Sequence, residues 1–418
     1  MKTFFKKVIA VCIIGVFLNP ILSVQAEEEE ISSLESEAAI LINADTGDVL
    51  YEKNSHKKMY PASITKIISG IMAIEQGNLG ETVNVSKRAR EADGTRVYLL
   101  EEEEVTLKKL LQGMLINSGN DAAIAIAEHL GGSVEQFAEE MNAFMENKID
   151  VKNSHFTNPH GLFDENHYTT AADMAKVSRY AMQNETFREI VGTKELEWIG
   201  EGWETTLYNH NRMLWNYEGT TGIKNGFVSQ SRFTLVTAVK RGGSEFIAVT
   251  LKANTKNASY RDMKKMFDYA FKHYETRFIA VDKQFTSVDG TNYGLESETA
   301  FMIKKGERFK ITVSEFGELV ITGEDGRVVL SKPLKVIEKR GKKRNIASAA
   351  SLYEENEEEL SISTASSSSN GLLFVGIGIF CFILIIVSIV YVYRKHLLRK
   401  KQKNLLNEVR NYINKRNL

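Results

Sequence analysis

Residues 371–393 read GLLFVGIGIFCFILIIVSIVYVY and carry no charged side chain. An uncharged run longer than the roughly 20 residues that cross a bilayer core is hard to place in a water-soluble domain. The residues behind it point the same way. Tyr391 and Tyr393 are followed by RKHLLRKKQK, which sets Arg394, Lys395, Arg399, Lys400, Lys401 and Lys403 against the end of the run. Interfacial aromatic rings backed by a basic flank mark a membrane span whose following end lies in the cytoplasm. The expectation is a transmembrane helix over 371–393 and a basic cytoplasmic tail over 394–418, the tail acting first of all as a topology signal.

The other end of the chain agrees. Lys2, Lys6 and Lys7 precede an apolar stretch over 8–18, and Val24-Gln25-Ala26 forms a small-residue cleavage site. This is the pattern of a secretory signal peptide over 1–26. The bulk of the chain is therefore expected outside the cell membrane, held by a single pass. The two cysteines, Cys12 and Cys381, both fall in these apolar segments. The exported part then has neither disulfides nor cysteine-ligated metal. A net charge of −1 gives no bulk electrostatic reason to bind nucleic acid. Residues 339–370 hold a basic cluster, an acidic run and a serine tract, and read as a disordered linker.

Between signal and linker the hydrophobic period changes several times. AAILINADTGDVLYE suggests two strands around Asp45-Thr46-Gly47, and a helix opens at Pro61 and Ser63. Residues 106–130 read as a helix broken near Asn117 to Asn120, and Ser133 and Thr170 start two more. Residues 233–239 and 245–251 form a hairpin across Arg241-Gly242-Gly243, and a helix is expected from Asp262 to Tyr274. Strands at both ends with helices between indicate an α/β catalytic domain over 35–275 with a mostly antiparallel sheet. Short β segments over 276–338 indicate a small all-β domain.

Three short motifs carry chemistry. Ser63-Ile64-Thr65-Lys66 puts a hydroxyl and an amine on one helix face. The lysine is a useful base only when burial or nearby cations depress its pKa. Ser118-Gly119-Asn120 interrupts two apolar helical stretches and offers a hydroxyl to relay a proton and an amide to hold a carbonyl. Lys224-Asn225-Gly226 reads as an inner edge strand, with a cation for a carboxylate and a glycine that permits close approach. Each is weak alone, and chance, a helix break or a surface turn would explain each one separately.

In this order and spacing they resemble the penicillin-recognising serine enzymes, most closely the low-molecular-mass penicillin-binding proteins of the serine-type D-alanyl-D-alanine carboxypeptidase family. PASITK, GMLINSGNDAAIAIAEHLGG, FTNPHGL with HYTTAADMA, and GIKNGF carry the resemblance. It implies a β-lactamase/transpeptidase-like catalytic domain that removes the terminal D-alanine of peptidoglycan stem peptides in a bacterial wall and is blocked covalently by β-lactams. It implies Ser63 as nucleophile, Lys66 as its base and Ser118 as relay towards the leaving D-alanine. Asn120, Lys224, Asn225 and Gly226 would bind substrate, and no cofactor or metal is implied.

Asn225 stands where the family usually has threonine. The family also has an arginine near the last helix, for which Arg261 is the candidate, about two residues out of register. A D,D-endopeptidase is a close variant. A β-lactamase is disfavoured because no general-base glutamate motif is evident. A weakly active wall-binding or penicillin-sensing protein is the rival suggested by Asn225. His160 and His167 are too few for a zinc site and are expected to order the loop Asn158-Pro159-His160-Gly161. Trp198, Trp203 and Trp215 are expected in the core.

Overall fold

A computed structural model describes residues 31–338, apart from positions 32, 288, 289 and 315. The expected signal peptide, linker, membrane span and basic tail lie outside the described residues. Among the described residues no helix is long and apolar enough to cross a membrane.

The chain opens with β1 (Ala38–Asn43) and β2 (Val49–Lys53) and, after a 3₁₀ turn over Ala62–Thr65, continues into α1 (Lys66–Gln76). A small lobe follows: β3 (Thr82–Asn84), α2 (Lys87–Arg90), β4 (Glu104–Thr106), α3 (Leu107–Ile116), α4 (Asn120–Gly131) and α5 (Val134–Phe144). Then come α6 (Ala171–Ala181), α7 (Glu185–Gly192), the hairpin β5 (Glu195–Ile199) and β6 (Glu204–Tyr208), and α8 (Met213–Asn216). Three long strands, β7 (Thr220–Val228), β8 (Arg232–Arg241) and β9 (Ser244–Ala253), lead into α9 (Lys256–His273).

The main sheet has the order β2-β1-β9-β8-β7 and every pair is antiparallel. Its inner strands are covered on both faces, so β1 is buried throughout rather than alternating. Ala38, Ile40 and Ile42 face a large core shared with α1, α3, α4 and α6. Ala39 and Leu41 face the opposite way, onto Met263, Met266, Phe267 and Ala270 of α9. The period of two along a strand thus feeds two cores, one on each side of the sheet.

Side-chain caps set the helix starts. Thr106, Ser133, Thr170, Asn184 and Thr255 each accept a backbone N–H from three residues on, at 3.0 to 3.3 Å. The last of these corrects the expectation of a helix from Asp262. Thr255 caps α9, which starts at Lys256, six residues earlier. The helix from Ser133 closes with a π turn over Met145–Ile149.

The β-rich segment begins at the end of α9 with β10 (Tyr274–Ile279), which pairs with β13 (Thr299–Lys304). It also contains β11 (Gln284–Thr286), β12 (Asn292–Gly294), β14 (Phe309–Val313), β15 (Glu318–Gly323), β16 (Val328–Pro333) and β17 (Lys335–Glu338). Ile279, Phe285, Leu295, Phe301, Ile303, Leu319 and Ile321 form its own core.

Candidate active site

The start of α1 is pressed against edge strand β7, and the 3₁₀ turn carrying Ser63 is fixed from both sides. Thr234 Oγ1 donates to Pro61 O at 2.8 Å. A Cβ on Gly226 would lie 2.6 Å from Ser63 N, so only glycine lets β7 come this close. On the other side a Cβ on Gly161 would lie 1.9 Å from Ala62 O. Ala62 itself is in left-handed backbone at φ +53°.

Lys66 is fully buried and donates to three acceptors. They are Ser63 Oγ at 3.1 Å, Asn120 Oδ1 at 2.7 Å and His160 O at 2.8 Å. Burial, and then the charge of Lys224, push its pKa well below the usual lysine value, while Asp121 pulls the other way. When neutral, Lys66 keeps its two N–H groups for Asn120 Oδ1 and His160 O and turns its lone pair on the Ser63 hydroxyl, the arrangement a general base needs.

Ser118 sits in the break between α3 and α4, in left-handed backbone at φ +70°, and is nearly buried. Asn120, the first residue of α4, has both ends of its amide engaged, Oδ1 by Lys66 and Nδ2 on Asp93 O at 2.6 Å. Its visible work is to orient Lys66. Beside it the buried Asp121 carboxylate gathers N–H groups of Val97, Leu99 and Ala122, so the loop over 93–99 and the start of α4 form one unit.

Lys224 is 2% exposed and, among the described residues, donates only to Asn225 O, at 3.1 Å. Burial lowers its pKa to about 7. Asn225 is half-buried, and its Oδ1 is buried with no hydrogen-bond partner among the described residues. The nearly bare buried ammonium of Lys224 leaves N–H groups for an anion at this end of the cleft, whereas the free Asn225 Oδ1 is an acceptor and asks for a donor.

The structure thus brings Ser63, Lys66, Asn120 and Gly226 into contact, with Lys224 close enough for its charge to act on Lys66. It does not bring in Arg261. That guanidinium is on the outer side of α9 and donates to Glu35 Oε1 at 2.8 and 2.7 Å. Glu35 precedes β1, which lies three strands away from β7 in the sheet. Arg261 is corrected to a surface ion pair between the start of the domain and α9.

His160 and His167 do order their loop. His167 Nε2 lies 2.8 Å from Thr65 Oγ1 and its Nδ1 accepts from Thr157 N at 3.1 Å. Burial lowers its pKa to about 3. Asn158 Oδ1 accepts from Gly161 N at 2.7 Å, and Pro159 O accepts from Ser69 Oγ at 2.6 Å. The product is the His160 carbonyl held on Lys66, a backbone contribution that a residue-type search misses. Among the described residues no three His, Cys, Asp or Glu side chains cluster as metal ligands would. Trp198 is buried in the core, whereas Trp215 is 43% exposed.

A family model described as D-alanyl-D-alanine carboxypeptidase matches residues 23–255. The chain is 32% identical over 365 residues to the D-alanyl-D-alanine carboxypeptidase DacF of Bacillus subtilis, covering 79% of this chain and 93% of that protein. It is 29% identical over 297 residues to DacA of Escherichia coli, covering 66% and 72%. Penicillin binding protein 5 from Haemophilus influenzae shares the fold, with a TM-score of 0.65 and 24% identity over 74% of this chain and 99% of that one. Penicillin binding protein 6B from Escherichia coli gives a TM-score of 0.63 with 25% identity, over 74% and 97%.

Proposed function

The chain belongs to the D-alanyl-D-alanine carboxypeptidase family of serine peptidases, and we propose that it trims stem peptides through an acyl-enzyme on Ser63. It is a hydrolase that removes the terminal D-alanine of a peptidoglycan stem. The observation that carries the assignment of roles is the buried Lys66 amine, 3.1 Å from Ser63 Oγ and held there by Asn120 and His160 O.

Ser63 Oγ attacks the carbonyl carbon of the penultimate D-alanine and its proton passes to the neutral Lys66 amine. The oxyanion that forms takes the Ser63 N–H, which Gly226 leaves accessible by carrying no Cβ. As the C–N bond breaks, the amine of the terminal D-alanine receives a proton, with Ser118 as the relay between Lys66 and the leaving group. Water then attacks the ester, giving its proton to Lys66 and returning the Ser63 hydroxyl. Splitting one amide hydrolysis into two acyl transfers needs no metal. Lys224 faces the terminal carboxylate. Its charge also lowers the pKa of Lys66, so the group that binds substrate helps keep the base neutral. A β-lactam carries the same carboxylate beside a reactive carbonyl, and so stops at the ester.

The test is release of D-alanine from diacetyl-Lys-D-Ala-D-Ala by the full-length chain, together with labelling by fluorescent penicillin. Ser63→Ala should lose both and keep its melting temperature. Label persisting on that variant would overturn Ser63 as nucleophile. A penicillin-sensing protein with poor turnover is the second reading, favoured by the unpartnered Asn225 Oδ1. It would take label and release no D-alanine.

The composition of residues 1–26 and 371–403 supports an exported catalytic domain tethered by one membrane span. Protease added to intact protoplasts should then remove the catalytic domain and spare a C-terminal fragment. A protected catalytic domain would refute that topology.

A further inference from the structure

The loop between α2 and β4 is tied by its carbonyls to Asn120, and so to Lys66. Asn120 donates its backbone N–H to Thr95 O at 2.7 Å and its side-chain Nδ2 to Asp93 O at 2.6 Å. Asn117 Nδ2 donates to Arg96 O at 2.9 Å. Beyond these contacts the loop alternates. Val97 and Leu99 are buried, and their N–H groups are held on the Asp121 carboxylate. Tyr98 and Leu100 point the other way, 50% and 39% exposed.

These outward side chains are held in place. The turn of the β5–β6 hairpin lies against them: a Cβ on Gly202 would stand 2.5 Å from Tyr98 O and 2.9 Å from Leu100 Cδ2. The buried Glu103 accepts from Leu100 N at 2.9 Å on one oxygen and from Glu201 N of that turn at 3.2 Å on the other. Trp203 meets the Tyr98 ring edge to face, with centroids 5.0 Å apart, and the Arg96 guanidinium lies 5.2 Å from the same ring. Tyr98 does this from left-handed backbone, at φ +57°. A bulky residue is an outlier there, and half of this ring stays in water. Strain of this kind clusters where a ligand is held. Glu101 and Glu102, next along the loop, and Glu201 on the hairpin turn are exposed. An aromatic surface with a charged rim suits a ligand that is apolar on one face and hydroxylated at its edge. A pyranose has that shape, and a lipid surface or an apolar helix does not.

We propose that Tyr98 and Trp203, with Leu100 and Arg96 beside them, form a platform for the amino sugar that carries the stem peptide, so that the chain reads the glycan as well as the D-alanyl end. This rests on the carboxypeptidase reading and extends it away from the acyl-transfer residues. The distances are compatible. Ser63 attacks the fourth residue of a pentapeptide stem, and four extended residues reach about 13–14 Å back to the sugar. Lys66 touches both Ser63 and Asn120. Tyr98 follows Thr95, the partner of Asn120, by three residues, which span at most about 10–11 Å. The sugar C–H groups meet the negative face of the ring, and the Arg96 guanidinium supplies donors for hydroxyl and acetamido oxygens.

The experiment measures kcat/KM of the full-length chain for N-acetylglucosaminyl-N-acetylmuramyl-pentapeptide and for the same pentapeptide without the disaccharide. The wild type should favour the sugar-bearing substrate by about three- to tenfold. Tyr98→Asn removes the ring, keeps a residue at ease in left-handed backbone, and should bring that ratio close to one. Tyr98→Phe should keep the preference, since stacking uses the ring and not the hydroxyl. A disturbance of the loop that reaches Asn120 acts on both substrates and cancels in the ratio. Equal values for the two substrates in the wild type would overturn the proposal, and so would a preference that survives Tyr98→Asn. Calorimetric binding of both ligands to Ser63→Ala makes the same comparison without turnover, and equal affinities there would also overturn it. A wild-type chain that releases no D-alanine, while Ser63→Ala binds the sugar-bearing ligand more tightly, refutes the carboxypeptidase reading and supports the platform.

Discussion

Gly226→Ala isolates the contact that sets the geometry of the nucleophile. The added methyl would stand 2.6 Å from Ser63 N, 2.7 Å from Thr234 Oγ1 and 3.0 Å from Ala62 Cβ. None of these can swing aside. Ser63 N is main chain, and Thr234 Oγ1 is engaged with Pro61 O of the same turn. Since ordinary contact begins near 3.4 Å, strand and turn must part by about 0.8 Å. Overpacking of this kind costs about 1–3 kcal/mol of stability. In a domain of this size that lowers Tm by about 2–4 °C per kcal/mol. The effect on chemistry should be larger, because a misplacement near 1 Å costs about a hundredfold. The expected result is a second-order rate of penicillin acylation down by about two orders of magnitude. Gly80→Ala, whose methyl would meet nothing nearer than 3.7 Å, is the control and should match wild type. A folded Gly226→Ala protein that acylates within about threefold of wild type would refute the account of why β7 carries glycine here.

Two further variants probe the cationic end of the cleft. Lys224→Met should abolish D-alanine release and stabilise the fold at pH 7 by on the order of 1–4 kcal/mol. The folded-state pKa of Lys224, about 7, lies below its unfolded value. The unfolded chain therefore holds the extra proton between those values, wild-type stability rises with pH across that window, and the advantage of the variant should fade towards about pH 10. Urea denaturation at both pH values checks this, and equal stability of the two proteins at pH 7 would count against a strained Lys224. Asn225→Thr exchanges a buried acceptor without a partner for a hydroxyl donor and should raise kcat/KM for the acid substrate about tenfold. A lower value would mean that the asparagine is fitted to a different substrate end.

What the sequence made legible was the chemistry carried by side chains at fixed local spacing. Ser63 with Lys66, Ser118 with Asn120, and Lys224 with Gly226 need only one turn, one break and one strand to be placed. The antiparallel sheet was legible too, because β8 and β9 are long β-rich runs around a Gly-Gly turn. Contributions of the backbone were not. Any residue offers a carbonyl, so the role of His160 O on Lys66 depends on the loop held by Asn158 and Ser69, which only the tertiary fold defines. The anion end was misread for a related reason. Arg261 is the conspicuous arginine near the last helix, but Thr255 starts that helix early and turns Arg261 outward to Glu35. The β5–β6 hairpin was missed although ELEWIGEGWETTLY alternates around a Gly-Glu-Gly turn.

The costs in this fold are gathered in one place. Lys66 and Lys224 are amine-bearing side chains taken out of water; burial lowers the proton affinity of both, and the charge of Lys224 lowers that of Lys66 further. Ala62 and Ser118 occupy left-handed backbone without being glycine, at about 1–3 kcal/mol each. Such strain persists only where surrounding packing over-determines it. Here Ile64, Ile67, Ile68, Ile71 and Met72, all fully buried, anchor the turn and helix that carry Ser63 and Lys66. On the other side of the break at Ser118, Leu110, Leu111, Met114 and Leu115 do the same for α3. The apolar cores therefore act on catalysis indirectly. They hold an amine of lowered proton affinity against a hydroxyl. Loosening them, by Ile68→Ala for instance, should lower acylation by Ser63 before it unfolds the chain.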